Sequence, residues 1–298
     1  MRGEDAGGEE MRHYFITGGT GLVGRALVRE LLTRPDTHKL TLLTRNAQRH
    51  WGMLAWSPKI QFVEGDVVNG RFPDLGYTDI IHAAAEANDL LQPDLHGYYY
   101  ILVEGTVQMM KFCQQAVPER ILYVSSGAVG KSEESVYCRG KRMAELAVDR
   151  YCPWAKIARP FAFIGEEIPI GGQYAIGKFV RDAMYEGEVR YYSNGSVRSY
   201  AHVTDAARMM LDILDSGNEN QPYDVGSVHP VPVDALARLV AEEWGVPLIQ
   251  IPPNDPHETS LTYIPDPARM YTLHETITLR ESIQRIRKHL CPALQEER

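Results

Sequence analysis

The N-terminal half of the chain alternates short apolar runs with amphipathic stretches in which apolar residues recur every three or four positions. The runs have the length of buried strands, and the stretches have the period of helices. Such alternation predicts a parallel sheet covered by helices on both faces. Strands are predicted over 13–17, 39–44, 60–64, 79–82, 120–125 and 155–159, and helices over 25–33, 98–116 and 137–151.

The regular alternation of strand and helix patterns ends beyond Gly165, and Pro169, Gly171 and Gly172 mark a loop there. A polar, strand-like run follows over 189–203. Helices are predicted over 176–186, 204–214, 233–244 and 279–290.

The first predicted strand ends in a glycine cluster that leads directly into a helical pattern. Gly19, Gly21 and Gly24 fit G-x-G-x-x-G, and Gly18 with the last two fits G-x-x-G-x-x-G. Glycines let the backbone turn sharply and approach a pyrophosphate, which the amides and dipole of the following helix then hold. A bare turn is the alternative, but the position after the first strand favours dinucleotide binding. The predicted cofactor-binding residues of this turn are Gly18, Thr20, Gly21, Leu22, Val23 and Gly24.

These features together predict an α/β fold, a Rossmann-type doubly wound parallel sheet with a smaller C-terminal substrate-binding lobe. Residues 1–11 are expected to be a disordered tail. Residues 12–165 are assigned to the NAD(P)-binding domain, and a strand and helix from about 200–230 are candidates to return to it. Residues 166–298 are assigned mainly to the substrate-binding lobe.

Composition narrows the functional classes. The chain has 298 residues, 44% of them hydrophobic and 23% charged, with a net charge of −8. An acidic balance argues against nucleic acid or an anionic membrane as the main partner. There is no apolar run long enough to span a bilayer and no signal-peptide pattern, so a cytoplasmic protein is expected. Four cysteines without C-x-x-C spacing, and histidines without H-E-x-x-H spacing, predict neither a disulfide nor a metal site.

The end of the second strand bears on the choice of dinucleotide. An NAD-binding fold usually places Asp or Glu there to bond the ribose 2′-OH, but this strand ends in Thr44, Arg45 and Asn46. Arg45 can pair with a 2′-phosphate, although a solvated surface arginine is the alternative. NADP(H) is therefore favoured, and NAD(H) stays open. After strand three, Asp66 and Val67 are further candidates, with Asp66 either bonding the adenine amine or capping a turn.

A catalytic set follows the fifth strand. Ser126 lies at its end, and Tyr137 and Lys141 are four residues apart, which places them on one face of a helix. A phenol has a reference pKa of about 10, and a nearby ammonium lowers the pKa. Tyr137 can then exchange a proton with a carbonyl oxygen that Ser126 bonds, while Lys141 also bonds the nicotinamide ribose. A surface i,i+4 pair is the alternative, but the strand–turn–helix setting favours chemistry.

The joint pattern resembles the extended short-chain dehydrogenases/reductases, specifically the NAD(P)-dependent nucleotide-sugar epimerase/dehydratase/reductase group. The resemblance implies that Ala83, Ala84 and Ala85 lie along the cofactor, that Pro160 lies near the nicotinamide, and that Arg198 binds the substrate diphosphate. It also implies a homodimer in which helices 98–116 and 137–151 form a four-helix interface. The segments that carry the resemblance are 17–24, 82–85, 105–106, 124–129, Tyr137 with Lys141, 198–207 and 223–226.

At several positions the sequence differs from the motifs of this group, and these differences favour some of the group's reactions over others. Its dehydratases carry an Asp-Glu pair after the catalytic Ser or Thr, whereas Gly127 and Ala128 occupy those positions. A second phosphate-binding Arg is expected near 255–260, where His257 and Glu258 stand. The favoured function is therefore an NADP(H)-dependent oxidoreductase that reduces a keto group of a nucleotide-activated sugar. The alternatives are an NAD-dependent nucleotide-sugar 4-epimerase and a non-catalytic NADP-sensing Rossmann protein.

Overall fold

The computed structural model describes residues 11–85, 95–130, 135–171, 174–252 and 260–292. The predicted tail lies outside this range except for Met11. The chain divides into two compact units, one formed by 1–160 with 207–223 and the other by 161–206 with 224–298. Among the described residues, no helix combines the length and apolarity that crossing a bilayer requires.

The first unit is built on a parallel sheet. Its seven strands are β1 (Arg12–Thr17), β2 (Thr37–Thr44), β3 (Ile60–Glu64), β4 (Asp79–His82), β5 (Arg120–Val124), β6 (Lys156–Pro160) and β11 (Pro222–Val225). The strand order β11-β6-β5-β4-β1-β2-β3 reverses between β1 and β4, and ligands of such sheets bind beyond the carboxyl ends of the strands at this reversal. This arrangement confirms the predicted α/β Rossmann-type class.

Strands of this sheet are apolar on both faces because helices cover both. Tyr14, Phe15 and Ile16 of β1 are completely buried, which explains why continuous apolar runs predicted the strands. Met109 and Met110 are buried in the same core as Phe15. The associated helices are α1 (Leu22–Thr33), α2 (Leu95–Ala116) and α3 (Val136–Tyr151), while α5 (Val203–Ser216) follows later in the chain.

The second unit contains short strands and helices. Its strands are β7 (Ala162–Ile164), β8 (Val189–Tyr191), β9 (Val197–Arg198), β10 (Tyr200–His202), β12 (Val231–Pro232), β13 (Leu248–Gln250) and β14 (Thr262–Tyr263), and its helices are α4 (Ala175–Arg181), α6 (Val233–Trp244) and α7 (Leu279–Leu290). The pairs β7–β10 and β8–β13 are parallel, and β9 lies between β12 and β14.

Two elements differ from the sequence prediction. The run predicted as one strand over 189–203 forms three, because Asn194 accepts a hydrogen bond from the Ser196 amide and Gly195 adopts a φ of 74°. The helix predicted over 176–186 changes to a π-helical turn after Arg181 and ends at Gly187, whose φ is 71°.

Candidate functional site

The glycine turn after β1 packs against the end of β4. Gly18 has a φ of 69°, and a Cβ on it would lie 2.5 Å from the carbonyl carbon of Ala83. A Cβ on Gly24 would lie 2.1 Å from the carbonyl oxygen of Gly18. Side chains at these two positions would therefore push the turn away from β4 and from the first turn of α1.

The first turn of α1 is suited to an anion. Gly21 caps the helix without a side-chain hydrogen bond, and no acidic residue lies in the first turn. The first amides of the helix, including those of Leu22 and Val23, therefore present their N–H groups and the positive end of the dipole. Arg25 Nε donates to the carbonyl oxygen of Thr20 at 2.9 Å, which holds the turn. The predicted residues of the glycine motif thus lie in one continuous turn that fits a pyrophosphate.

The end of β4 is joined to β1 by polar contacts that sequence reasoning missed. The Ala84 amide donates to Thr17 Oγ1 at 3.2 Å, and this hydroxyl lies 2.7 Å from His82 Nδ1. His82 Nε2 lies 3.2 Å from Thr106 Oγ1, which itself donates to the Leu102 carbonyl. Nε2 therefore carries the proton, and Nδ1 accepts from Thr17.

Burial, and then the charge of Lys141, lower the pKa of His82 to about 3, so the ring is neutral. Its two hydrogen bonds fix the strand end from which Ala83, Ala84 and the exposed Ala85 follow. A polar residue at the end of an apolar strand was the available signal for this contact.

The end of β2 carries the residues predicted to select the dinucleotide. Thr44 is buried, whereas Arg45 and Asn46 are exposed. The Asn46 side chain accepts from the Arg49 amide at 3.2 Å. Burial, and then the charges of Arg25 and Arg49, lower the pKa of His50, so these two cations lie near the His50 ring. The proposed pairing of Arg45 with a 2′-phosphate stays a prediction.

Asp66 caps a short 3₁₀ turn over Val67–Asn69. Its Oδ1 accepts from the Val68 amide at 3.1 Å, so turn capping is the role that the described structure displays. Val67 is buried against Gly105 of α2. The suggested contact of Asp66 with an adenine amine stays a prediction.

The three candidate catalytic residues come from two neighbouring elements. Ser126 is buried after β5, and its Oγ accepts from the Ala128 amide at 3.2 Å. Tyr137 and Lys141 both lie on α3, one turn apart. Ser135 caps this helix by accepting from the Cys138 amide at 3.2 Å. The structure therefore contains the helical pair that the four-residue spacing predicted.

Lys141 is almost fully buried, with 2% of its surface exposed. Its Nζ donates to the Val124 carbonyl at 2.9 Å and lies 5.2 Å from the centre of the Tyr123 ring. Burial lowers the pKa of Lys141 to about 8, and the charge of Glu145 partly offsets this effect. The ammonium is therefore retained at neutral pH by a carbonyl, an aromatic face and a carboxylate.

Glu145 and Arg159 were not among the site residues that the sequence predicted. Arg159 of β6 binds both carboxylate oxygens of Glu145, with Nε at 2.9 Å and Nη2 at 2.6 Å. Ser125 Oγ also donates to Glu145, at 2.5 Å. Glu145 lies one turn beyond Lys141, but nothing in the sequence connected it to a strand residue. Pro160, predicted near the nicotinamide, follows Arg159 and ends β6.

Arg198 lies on β9 in the second unit, where the neighbouring strands are β12 and β14. Its Nε is buried without a hydrogen-bond partner among the described residues, as are Ser199 Oγ and Tyr200 Oη. An unpaired buried guanidinium nitrogen is costly, and an anionic ligand would satisfy it. The segment 255–260, where the family's second phosphate-binding arginine was expected, lies outside the described residues except for Ser260.

Residues 14–226 match the model of the NAD dependent epimerase/dehydratase family. The chain belongs to this family. The match includes the glycine turn, Ser126, Tyr137, Lys141 and Arg198, and it confirms the predicted family and enzyme class.

Individual relatives of this family member are distant. An epimerase family protein of Staphylococcus saprophyticus is 23% identical over 226 residues, covering 69% of this chain and 72% of that protein. UDP-glucuronic acid decarboxylase 2 of Arabidopsis thaliana is 25% identical over 76% of this chain and only 56% of its own length. A putative dihydroflavonol 4-reductase of Synechocystis is 34% identical, but over 39% of this chain and 33% of that protein.

Solved structures share the fold. The dTDP-glucose 4,6-dehydratase DesIV of Streptomyces venezuelae, with NAD bound, superimposes with a TM-score of 0.81 at 20% identity, over 94% of this chain and 97% of that one. WbmG of Bordetella bronchiseptica, in complex with NAD and UDP, gives a TM-score of 0.80 at 17% identity, over 97% and 96%. The roles of individual side chains in this family member stay predictions.

Proposed function

We propose that this family member is an NADP(H)-dependent oxidoreductase that reduces a keto group of a nucleotide-activated sugar. The observation that supports the proposal is the set of Ser126, Tyr137 and Lys141. Ser126 is followed by Gly127 and Ala128, not by two carboxylates. Removal of water from a sugar needs an additional acid–base pair beside the proton donor. The set as it stands supports proton exchange at a single carbonyl or hydroxyl oxygen.

The cofactor half of the proposal rests on two features. Gly18 and Gly24 let the turn approach backbone atoms that a Cβ would overlap, and the uncapped start of α1 offers its free amides to the pyrophosphate. At the other end, the exposed Arg45 follows β2, where an NAD-binding fold usually carries a carboxylate, which supports a 2′-phosphate. The nicotinamide, when bound, supplies the hydride. NAD in the DesIV and WbmG complexes supports the dinucleotide class and leaves NAD(H) as the alternative cofactor.

The proton chemistry follows from the side chains. Tyr137 donates its phenolic proton to the carbonyl oxygen of the sugar as the carbon becomes a secondary alcohol. The Lys141 ammonium stabilises the phenolate that remains, and Ser126 hydrogen-bonds the same oxygen. The charge of Lys141 is available at neutral pH because its pKa is about 8.

A nucleoside diphosphate is the part of the substrate that we propose Arg198 to bind. Arg198, with its buried and unpartnered Nε, supplies the charge-assisted contact that a diphosphate requires. The bound UDP in WbmG supports this class. The experiment is native mass spectrometry with NADP, NAD and a panel of CDP-, UDP-, dTDP- and GDP-sugars. A ternary complex with NADP and one sugar nucleotide is expected, and loss of that complex in Arg198→Ala would identify the diphosphate contact.

A nucleotide-sugar 4-epimerase is the second candidate. UDP-glucose 4-epimerase of Lacticaseibacillus casei is 22% identical over 72% of this chain, and the same Ser, Tyr and Lys would serve that reaction. An epimerase keeps its cofactor bound and consumes none. The two functions therefore differ in a simple measurement, the net oxidation of NADPH.

A homodimer through α2 and α3 is also part of the proposal. The two helices pack side by side and present exposed Tyr100, Met143 and Leu146. A cavity of about 500 Å³ lies along them, lined by His96, Tyr99, Val136, Arg139, Arg142 and Met143. Exposed apolar side chains on adjacent helices favour an interface with a second copy of the chain.

A further inference from the structure

Glu145 shares a face of α3 with the proposed catalytic pair. Tyr137, Lys141 and Glu145 are spaced by four residues, so their side chains follow one another along the helix. The Glu145 side chain is 12% exposed and that of its partner Arg159 is 15% exposed. A carboxylate this buried needs compensation, and three hydrogen bonds supply it.

These bonds connect three elements. The bidentate pair with Arg159 joins α3 to β6, and such a pair fixes orientation as well as distance. The bond from Ser125 Oγ joins α3 to the end of β5. The Ser125 amide also donates to the Ala158 carbonyl at 2.7 Å, so the residue is held from both sides.

The consequence is the placement of Ser126. Lys141 binds the Val124 carbonyl at 2.9 Å, and Glu145 accepts from Ser125 at 2.5 Å. The two residues immediately before Ser126 are therefore each tied to α3 by a different side chain. The same helix carries Tyr137, so the two bonds link the backbone that leads into Ser126 to the helix that carries the phenol.

We propose that Glu145, oriented by Arg159, is a positioning residue that holds Ser126 in register with Tyr137 and Lys141. The role rests on the proposed function in so far as it concerns turnover. A purely structural ion pair offers a contrast. Asp79 and Arg120 begin β4 and β5 at the opposite end of the sheet, and their side chains pair there with Asp79 fully buried. That pair contacts none of the three proposed catalytic residues.

The first test needs no substrate. Native-state amide hydrogen exchange is measured at residues 125–129 in the wild type, Ser125→Ala and Glu145→Gln, with Asp79→Asn as the matched control. Both variants are expected to accelerate exchange there by about three- to tenfold relative to β1 and β2, as loss of a hydrogen bond implies. The control is expected to change both regions equally. Equal exchange in the two variants and the wild type at 125–129 overturns the proposal.

The second test uses turnover of a keto-sugar nucleotide with NADPH. Glu145→Gln is expected to lower kcat by about tenfold, as misplacement of a catalytic group implies, while KM for NADPH stays unchanged and Asp79→Asn keeps the wild-type kcat. A wild-type kcat in Glu145→Gln and Ser125→Ala overturns the positioning role. If the wild type itself turns over no sugar nucleotide, the proposed function fails, and the exchange measurement alone decides the role of Glu145.

Discussion

Lys141 Nζ donates to the carbonyl oxygen of Val124 at 2.9 Å, and this contact ties the helix that carries Tyr137 to the strand that leads into Ser126. The lysine is 2% exposed, so its charge is costly to maintain. The Lys141 side chain thus makes a structural hydrogen bond and also provides a positive charge. Because only the charge is lost as the pH rises, a pH series tests the effect of that charge on turnover and on stability.

Turnover is predicted to fall as the pH rises through about 8, because burial lowers the pKa of Lys141 from 10.5 to about 8. Below that pH the ammonium stabilises the Tyr137 phenolate, and above it the charge is lost. Stability changes in the opposite direction. Between about pH 8 and about pH 10.5 the unfolded lysine binds a proton that the folded one does not, so the free energy of unfolding rises with pH.

The measurements are a kcat–pH profile and denaturant unfolding at about pH 8 and about pH 10. Lys141→Met is the control, since it removes the titrating group and should remove this contribution to the stability slope. Wild-type and variant slopes that coincide would contradict the assignment.

Gly18→Ala and Gly24→Ala are each predicted to weaken NADP binding by at least about tenfold, because the added Cβ would displace the turn that fits the pyrophosphate. The contacts at 2.5 and 2.1 Å involve backbone atoms, which cannot give way as a flexible side chain does. Gly52→Ala is the matched control, since nothing lies within 4 Å of its Cβ position. Cofactor affinity is measured by calorimetry, and an unchanged affinity in Gly24→Ala would contradict binding of the pyrophosphate at the glycine turn.

Arg45→Ala is predicted to weaken NADPH binding by about tenfold and to leave NADH binding unchanged, since a charge-assisted bond to the 2′-phosphate is lost. Arg150→Ala, which removes another exposed arginine, at the end of α3, controls for net charge. If Arg45→Ala weakens both cofactors equally, or neither, Arg45 does not select the phosphate.

Leu146→Asp is predicted to convert a dimer into a monomer, because Leu146 is 60% exposed on α3 and a carboxylate there would be buried unpaired in the proposed interface. Light scattering after size-exclusion chromatography gives the mass. Tyr185→Asp, at a residue that is 72% exposed in the second unit, is the control and should keep the wild-type mass. A wild type that is already monomeric would contradict the dimer.

The sequence predicted the strands of the sheet well, for a physical reason. Strands such as β1 are buried on both faces and therefore appear as unbroken apolar runs, and the residues after each strand meet at one edge. The pair Tyr137 and Lys141 was predictable because its geometry is local to one helix.

Contacts between distant elements were not predictable in the same way. Glu145 and Arg159 lie on a helix and on the following strand, and no periodicity connects them. His82 is satisfied by hydroxyls from β1 and α2, which only the packed structure brings together. In the second unit, strands of two or three residues, such as β14, are too short to show an alternation.

The oxidation of NADPH in the presence of a keto-sugar nucleotide tests the central claim most directly. We predict that one NADPH is oxidised for each sugar reduced, which the loss of cofactor absorbance measures. In Tyr137→Phe we predict that kcat falls by at least about 100-fold, as loss of a general acid implies. Calorimetry should show that Tyr137→Phe retains the cofactor affinity of the wild type. Interconversion of sugar nucleotides without net NADPH oxidation, or full turnover by Tyr137→Phe, would contradict the account.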